Sequence, residues 1–347
     1  MKLIHCDEHH QHAGAKEMRY DKMIPMSDTP ERIDLILHAL QKAGFNDLIK
    51  AQHYDLTAVY KIHDTAFVSF LESAYDLWKA EFGPDSFATA YTFGMRGMAQ
   101  HPNASVHSML AYYTFDVCVP FVEGTYKAIR SAVNVALTGV DLILAGERSV
   151  FSLCRPPGHH ASQDLAGGYC YLNNVAIAAQ AYLDAGKSKV AILDVDYHHG
   201  NGTQRVFYER DDVFFVSLHA SPIAEYPFLM GYPQETGAGA GEGFNLNLAM
   251  DKGTEFAEYV VQLEFALAQI AKYQPDILLI SLGVDTYIDD PVGGFKLLTE
   301  DYLKMGALIA QCNLPTHFVM EGGYAFAALG SNVTNVISGF SHSKSCA

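Results

Sequence analysis

Asp194, Asp196 and His198 alternate along the run DVDYHHGNG, and alternate side chains on an extended backbone point the same way. One carboxylate oxygen and one neutral imidazole placed two residues apart can share a divalent ion, and Asp194 on the same side can hold an imidazole or a second cation. A DxH pair alone is more often a polar turn, so the reading depends on partners elsewhere. RPPGHH supplies tandem imidazoles at His159 and His160, GVDT a further carboxylate at Asp285, and EGGY a phenol at Tyr324. Asp196, His198 and Asp285 would leave one coordination position open to water, the layout of a catalytic rather than a closed zinc site. Such an ion polarises a carbonyl and lowers the pKa of its water toward about 7. Of the tandem pair, one ring can take a proton and return it to a leaving amine while the other stabilises charge in the tetrahedral intermediate. The Tyr324 hydroxyl, beside two glycines, can donate to the developing oxyanion. The chemistry this set supports is amide hydrolysis.

The elements that must position these residues follow from the hydrophobic pattern. Short apolar runs without helical period predict strands at 2–5, 149–154, 189–193, 213–218, 276–282 and 316–320. Helices are expected from Thr29-Pro30 to Gly44, with Thr29 as N-cap, and over 65–80, 123–146, 172–185, 203–209, 255–272 and 300–311. This alternation predicts an α/β fold, a mostly parallel sheet with helices on both faces. His159/His160, Asp194/Asp196/His198, His219, Asp285 and Tyr324 each follow the carboxyl end of a different strand, the edge where open α/β sheets bind ligands. Residues 81–118 are rich in aromatic, Gly, Met and His residues without clear period, and read as a long ordered loop packed on its own domain or on a partner subunit. The early His9, His10, His12 and Glu17 read as a flexible or solvated loop, and GAGAGEG (237–243) as a flexible loop rather than a phosphate cradle.

Composition narrows the function. The 347 residues are 49% apolar, enough for one large core rather than two small ones. A formal net charge of −16 argues against nucleic acid and anionic membrane as partners and suits a cationic small substrate, although acidity also serves solubility. The cysteines Cys6, Cys118, Cys154, Cys170, Cys312 and Cys346 show no CxxC spacing, which points to reduced thiols in a cytoplasm. The first residues, MKLIHCDEHH, turn polar too soon for a signal peptide, and no apolar run approaches the roughly 20 residues of a membrane span.

The segments RPPGHHA, GGYCYLNN, DVDYHHGNGTQ, SLGVDT and MEGGY, with KLIHCDEHH and KIHDTAF nearer the N-terminus, resemble the zinc-dependent histone deacetylase superfamily. Within it the likeness is closest to the bacterial acetylpolyamine amidohydrolases. The resemblance implies the arginase/deacetylase fold in a single domain over 1–347, with zinc (ferrous iron would also fit) on Asp196, His198 and Asp285. It makes His159, His160 and Tyr324 catalytic, with Asp194 orienting His159 and Asn201 partnering His160. It places a potassium ion at the Asp194 carboxylate, the Ser217 hydroxyl and the carbonyls of Asp196, His198 and Leu218. Tyr169 and Tyr226 would line an acyl tunnel beside Gly168, and Glu17 would attract an ammonium group at the entrance. His107 falls where the family carries a second acidic residue, and Asp116 reads as a solvated loop carboxylate. The insertion at 81–118 would mediate a homodimer and narrow the entrance. The implied reaction releases acetate from N-acetylated polyamines or diamines. The alternative is a broader deacylase of acyl-lysine in peptides and proteins. A two-metal ureohydrolase of the same fold would need further bridging aspartates, where this chain has Asp285-Thr286-Tyr287, and a binding-only protein would lack a ligand or the tyrosine.

Overall fold

The computed structural model describes residues 1–19, 21–95 and 97–344. The chain opens with β1 (Lys2–His5), a hairpin of β2 (Lys16–Arg19) and β3 (Lys22–Pro25), α1 (Glu31–Lys42) and β4 (Leu48–Lys50). Then come α2 (Thr65–Phe82), α3 (Val106–Tyr113), α4 (Thr125–Leu144), β5 (Ser149–Ser152), α5 (Asn174–Asp184), β6 (Val190–Asp194) and α6 (Asn201–Phe207). The last part holds β7 (Val213–Ala220), β8 (Asn245–Met250), α7 (Phe256–Tyr273), β9 (Ile277–Leu282), α8 (Thr299–Ala310), β10 (Thr316–Met320) and α9 (Phe326–Lys344). One eight-stranded sheet has the order β4-β1-β5-β10-β9-β6-β7-β8, and every neighbouring pair is parallel. A parallel sheet needs a crossover after each strand, so helices cover both faces and the strands are buried throughout.

Strand alternation divides the core. In β6 and β9, Ile192 and Leu279 pack on the face covered by α4 and α5, with Ala136 and Ile177. Their neighbours Leu193 and Ile280 pack on the opposite face with Leu263 of α7, Met305 of α8 and Ile337 of α9. Each such fully buried aliphatic side chain contributes roughly 1.5–3 kcal/mol relative to exposure. α4 shows the matching helical stripe, with Val133, Ala136, Leu137 and Val140 all buried.

Several expectations need correction. The segment at His9 to Glu17 is only partly solvated: His10 is exposed as expected, but Asp7–Gln11 forms a 3-10 turn, and His9, His12 and Glu17 are buried. His12 Nδ1 lies 3.0 Å from the Thr125 hydroxyl. Pro30, not Thr29, occupies the cap position of α1 and makes no side-chain cap bond. The region 81–118 contains α3 and a bridge from Ala88 to Phe121, so it is not a simple loop. The 237–243 loop is pinned, with the Gly241 amide bonded to the Ala238 carbonyl and Ala238 to Tyr208. Cys6, Cys118, Cys154 and Cys170 are free thiols, and Cys346 lies outside the described residues.

His317 on β10 is fully buried between two hydroxyls. The Ser152 hydroxyl donates to the Val135 carbonyl, so the His317 Nε2–H donates to Ser152 Oγ at 2.8 Å and Nδ1 accepts from the Tyr182 hydroxyl at 3.0 Å. Burial pushes its pKa down to about 3. The unfolded chain, with an ordinary histidine near 6.5, therefore binds a proton that the native state refuses. The resulting stability is complete above pH 6.5 and falls by about 1.4 kcal/mol per pH unit as the pH drops toward 3. In urea unfolding measured from pH 7.5 to 4.5, His317→Gln should keep both hydrogen bonds yet show a pH slope shallower by about one proton. An unchanged slope would mean that His317 titrates normally in the folded state.

Candidate active site

The loops after β5, β10, β9 and β6 are neighbours in the sheet, so their residues meet at one carboxyl edge. A cavity of about 330 Å³ opens there, lined by His159 and His160 from the first loop, Tyr324 from the second, and Asp196 and His198 from the fourth. Asp285, from the loop after β9, lies fully buried behind His198.

Asp196, His198 and Asp285 bring one potential ligand atom each to within 4.8 Å of one another. The His198 Nδ1 is 3.0 Å from Asp285 Oδ2 and 3.3 Å from Asp196 Oδ1. The carboxylates are aimed from outside: the Gly322 amide donates to Asp196 Oδ2 at 2.8 Å and the Tyr197 amide to Asp285 Oδ1 at 2.8 Å. Burial, followed by the neighbouring Asp196 charge, pushes the Asp285 pKa up to about 7. Two buried carboxylates converging with an imidazole form a donor set that a divalent cation would neutralise, so these residues fit a metal such as zinc.

The tandem histidines have unlike partners. His159 Nδ1 lies 3.0 Å from Asp194 Oδ2, and His160 Nδ1 lies 2.7 Å from Asn201 Oδ1. Both acceptors fix Nδ1 as the protonated nitrogen and leave Nε2 for the cavity. Burial would discharge His159, but the charges of Asp194 and Asp196 outweigh it and raise its pKa to about 10. Burial, and then the neighbouring rings of His159 and His198, holds His160 well below the ordinary histidine range. The loop itself hangs on Glu321, whose Oε2 accepts from the Gly158 amide at 2.7 Å and the His159 amide at 3.1 Å.

Tyr324 is fixed by its own backbone and by a cation beneath its ring. Its amide donates to Asp290 Oδ2 at 2.6 Å, and the Arg32 guanidinium lies 4.6 Å from the ring centroid. Burial raises the phenol pKa well above its ordinary value, so the hydroxyl remains a donor. Arg32 also donates to the carbonyls of Glu321 and Gly323, and shares Asp28 with Arg155, which sits at the head of the histidine loop. Two buried arginines and one aspartate thus join the His159 and Tyr324 loops.

Other expected residues divide between the cavity and its surroundings. Tyr169 and Tyr226 form opposing aromatic walls, with ring centroids 5.7 Å from Tyr324 and 5.0 Å from His160 respectively. Gly168 passes between them, where a Cβ would lie 2.4 Å from the His160 ring and 2.8 Å from the Tyr226 hydroxyl. Glu17 also reaches the cavity. Asp116 is not solvated: its Oδ2 accepts from the Tyr226 hydroxyl at 2.7 Å and the Gly168 amide at 2.8 Å, bracing that wall. His107 is off the cavity, held edge-on by Trp78, Phe82 and Tyr91, with Nε2 3.4 Å from Glu81. His219 is also behind the site, donating from Nε2 to the Gly231 carbonyl and accepting the Ser217 hydroxyl at Nδ1. Ser217 registers opposite Asp194, with Leu218 following it on β7. Arg19, Arg32 and Asp28 gave no sequence signal, because charged residues in short polar segments and on helix faces read as solvent-exposed.

A family model described as the histone deacetylase domain matches residues 26–340. The chain belongs to the histone deacetylase family. Over 98% of its length it is 45% identical to acetylpolyamine amidohydrolase 1 of Pseudomonas aeruginosa, covering 99% of that protein. It is 42% identical to acetylpolyamine amidohydrolase of Mycoplana ramosa, over 98% of this chain and 99% of the relative. The crystal structure of acetylpolyamine aminohydrolase from Burkholderia pseudomallei superposes with a TM-score of 0.93 at 36% identity, covering 99% of both chains. As expected from the sequence, the fold is that of the arginase/deacetylase class.

This deacetylase-family centre depends on the absence of a side chain at Gly322. A Cβ there would stand 2.5 Å from Asp196 Oδ2 and 2.6 Å from Asp285 Oδ2. Gly322→Ala should therefore displace both carboxylates while leaving the sheet intact. Elemental analysis after dialysis should find metal lost from a protein with an unchanged circular dichroism spectrum. Full metal content in the variant would show that the carboxylates do not need this close approach.

Proposed function

We propose that this protein is a zinc-dependent amidohydrolase that releases acetate from N-acetylated polyamines and diamines, with ferrous iron able to occupy the same ligands. The observation that carries the reading is the convergence of Asp196, His198 and Asp285 with the His159–Asp194 and His160–Asn201 pairs and Tyr324 around one cavity. The relatives named acetylpolyamine amidohydrolase over nearly their whole length support the substrate class.

A bound divalent ion supplies Lewis acidity, polarising the acetyl carbonyl and making a water acidic enough to deprotonate at neutral pH. His160, kept neutral by burial and by the neighbouring rings of His159 and His198, takes that proton at Nε2 and later delivers it to the departing amine nitrogen. His159, charged against Asp194, stabilises the negative charge of the tetrahedral intermediate. Tyr324 donates its hydroxyl hydrogen to the oxyanion as the carbonyl becomes tetrahedral. Tyr169 and Tyr226 grip the acyl-amine stem and exclude water. Overall, amide and water give acetate and a free amine.

Potassium fits behind this floor. The Ser217 hydroxyl donates to His219, which leaves its lone pairs for a cation beside the buried Asp194 carboxylate and the Leu218 carbonyl. The insertion at 81–118 serves as a dimer contact in a single-domain, cytoplasmic enzyme. Supporting this, Tyr91, Met95 and Met98 in the insertion and Ile223 and Leu229 beyond β7 are exposed apolar side chains. Sedimentation equilibrium should give a dimer, and Met95→Glu with Met98→Glu should give a monomer. A wild-type monomer would remove this role. Among the described residues, no helix is long and apolar enough to cross a membrane.

The function is tested by acetate release from acetylputrescine, acetylcadaverine and acetylspermidine beside an acetyl-lysine peptide. The free amines should be preferred, and Tyr324→Phe should lower their turnover by roughly 10²-fold or more without loss of metal. Preference for the peptide would favour the broader deacylase, and undiminished turnover in Tyr324→Phe would remove that hydroxyl from the reaction.

A further inference from the structure

The mouth of the cavity carries a charge pair that acetylated polyamines do not need. Glu17, only 2% exposed, accepts from Arg19 Nη2 at 2.8 Å and from the Ser27 hydroxyl at 3.2 Å, both through Oε1. Its other oxygen, Oε2, is buried without a hydrogen-bond partner. Arg19 Nη2 also donates to Ser27 at 2.8 Å, and both Glu17 and Arg19 line the cavity. Tyr169 lines the same cavity, and its ring is 5.7 Å from that of Tyr324.

A lone ammonium group approaching Glu17 meets the guanidinium beside it, and a lone carboxylate approaching Arg19 meets Glu17. A zwitterion suits both. Arg19 makes its contacts with Glu17 and Ser27 through Nη2, and a planar guanidinium has further N–H donors for a carboxylate. Glu17, which lines the cavity beside Arg19, keeps Oε2 without a partner, an acceptor left for an ammonium group on the same carbon.

We infer that Arg19 and Glu17 recognise the α-carboxylate and α-ammonium of free amino acids acetylated on their side-chain amine, such as Nε-acetyl-lysine and Nδ-acetylornithine. This rests on the amidohydrolase reading above and extends its substrate class. The bond cleaved is the same amide, and the products are acetate and the free diamino acid.

The test uses matched substrates, since Nε-acetyl-lysine differs from acetylcadaverine only by its α-carboxylate, as Nδ-acetylornithine differs from acetylputrescine. For the metal-loaded enzyme, kcat/KM for Nε-acetyl-lysine should equal or exceed that for acetylcadaverine. Arg19→Met should lower the acetyl-lysine value by about 10- to 100-fold, as loss of a charge-assisted contact does, and raise the acetylcadaverine value. Arg19→Lys should restore part of the acetyl-lysine value. Calorimetric titration with lysine, the product, should show binding that weakens in Arg19→Met. Rapid acetylcadaverine hydrolysis with an acetyl-lysine value that Arg19→Met leaves unchanged would overturn the inference while leaving the amidohydrolase intact. If neither substrate is cleaved, the amidohydrolase reading fails, and the titration alone decides: Arg19-dependent lysine binding supports the zwitterion site, and its absence overturns it.

Discussion

Buried negative charge is the constraint around which this molecule is built. Asp194, Asp196, Asp285 and Glu321 are all fully or almost fully buried at the carboxyl edge of one parallel sheet. Such charges are tolerated only when each is paired or hydrogen-bonded. Backbone amides of Gly158, His159, Tyr197 and Gly322 answer part of the charge. The guanidiniums of Arg32 and Arg155, buried nearby with Asp28, add a net positive charge to the same region. A divalent cation on Asp196, His198 and Asp285 would answer the rest, so metal binding and integrity of this edge are parts of one electrostatic problem.

The same compensation sets geometry. Arg32 holds the Glu321 and Gly323 carbonyls, while Glu321 holds the amides that begin the histidine pair. The loop carrying Tyr324 and the loop carrying His159 therefore cannot shift independently. Their relative placement is fixed by hydrogen bonds to charged groups, each stronger than a neutral one.

How much of this was legible in the sequence follows from where each signal resides. Asp196, His198, Asp285, the histidine pair and Tyr324 stand just after apolar runs that read as buried strands, and the parallel topology brings them together as expected. Asp194 and Asn201 partner His159 and His160 as the family resemblance implied. Arg32 was invisible because an arginine in an amphipathic helix reads as part of the solvent face, whereas here it is fully buried. α3 was missed because its eight residues, VHSMLAYY, mix small, aromatic and polar types without a wide apolar stripe. Asp116 reads as solvated, and the location of His107 is not legible, because their surroundings are assembled from distant segments: Tyr226 and Gly168 for one, Trp78 and Tyr91 for the other.

The floor and the mouth of the cavity differ in how freely they can change. At the floor, Gly168 and Gly322 lie so close to His160, Asp196 and Asp285 that even a methyl group collides, and Asp194, Asp196 and Asp285 each accept from a group on another loop. At the mouth, Glu17 and Arg19 belong to a two-stranded hairpin outside the main sheet, closed largely by its own pairing and by Ser27. A substitution on that hairpin changes the charge at the mouth without removing a hydrogen bond to Asp196, His198 or Asp285. The charge of the short β2–β3 hairpin can therefore change while the buried carboxylates of the floor keep their partners.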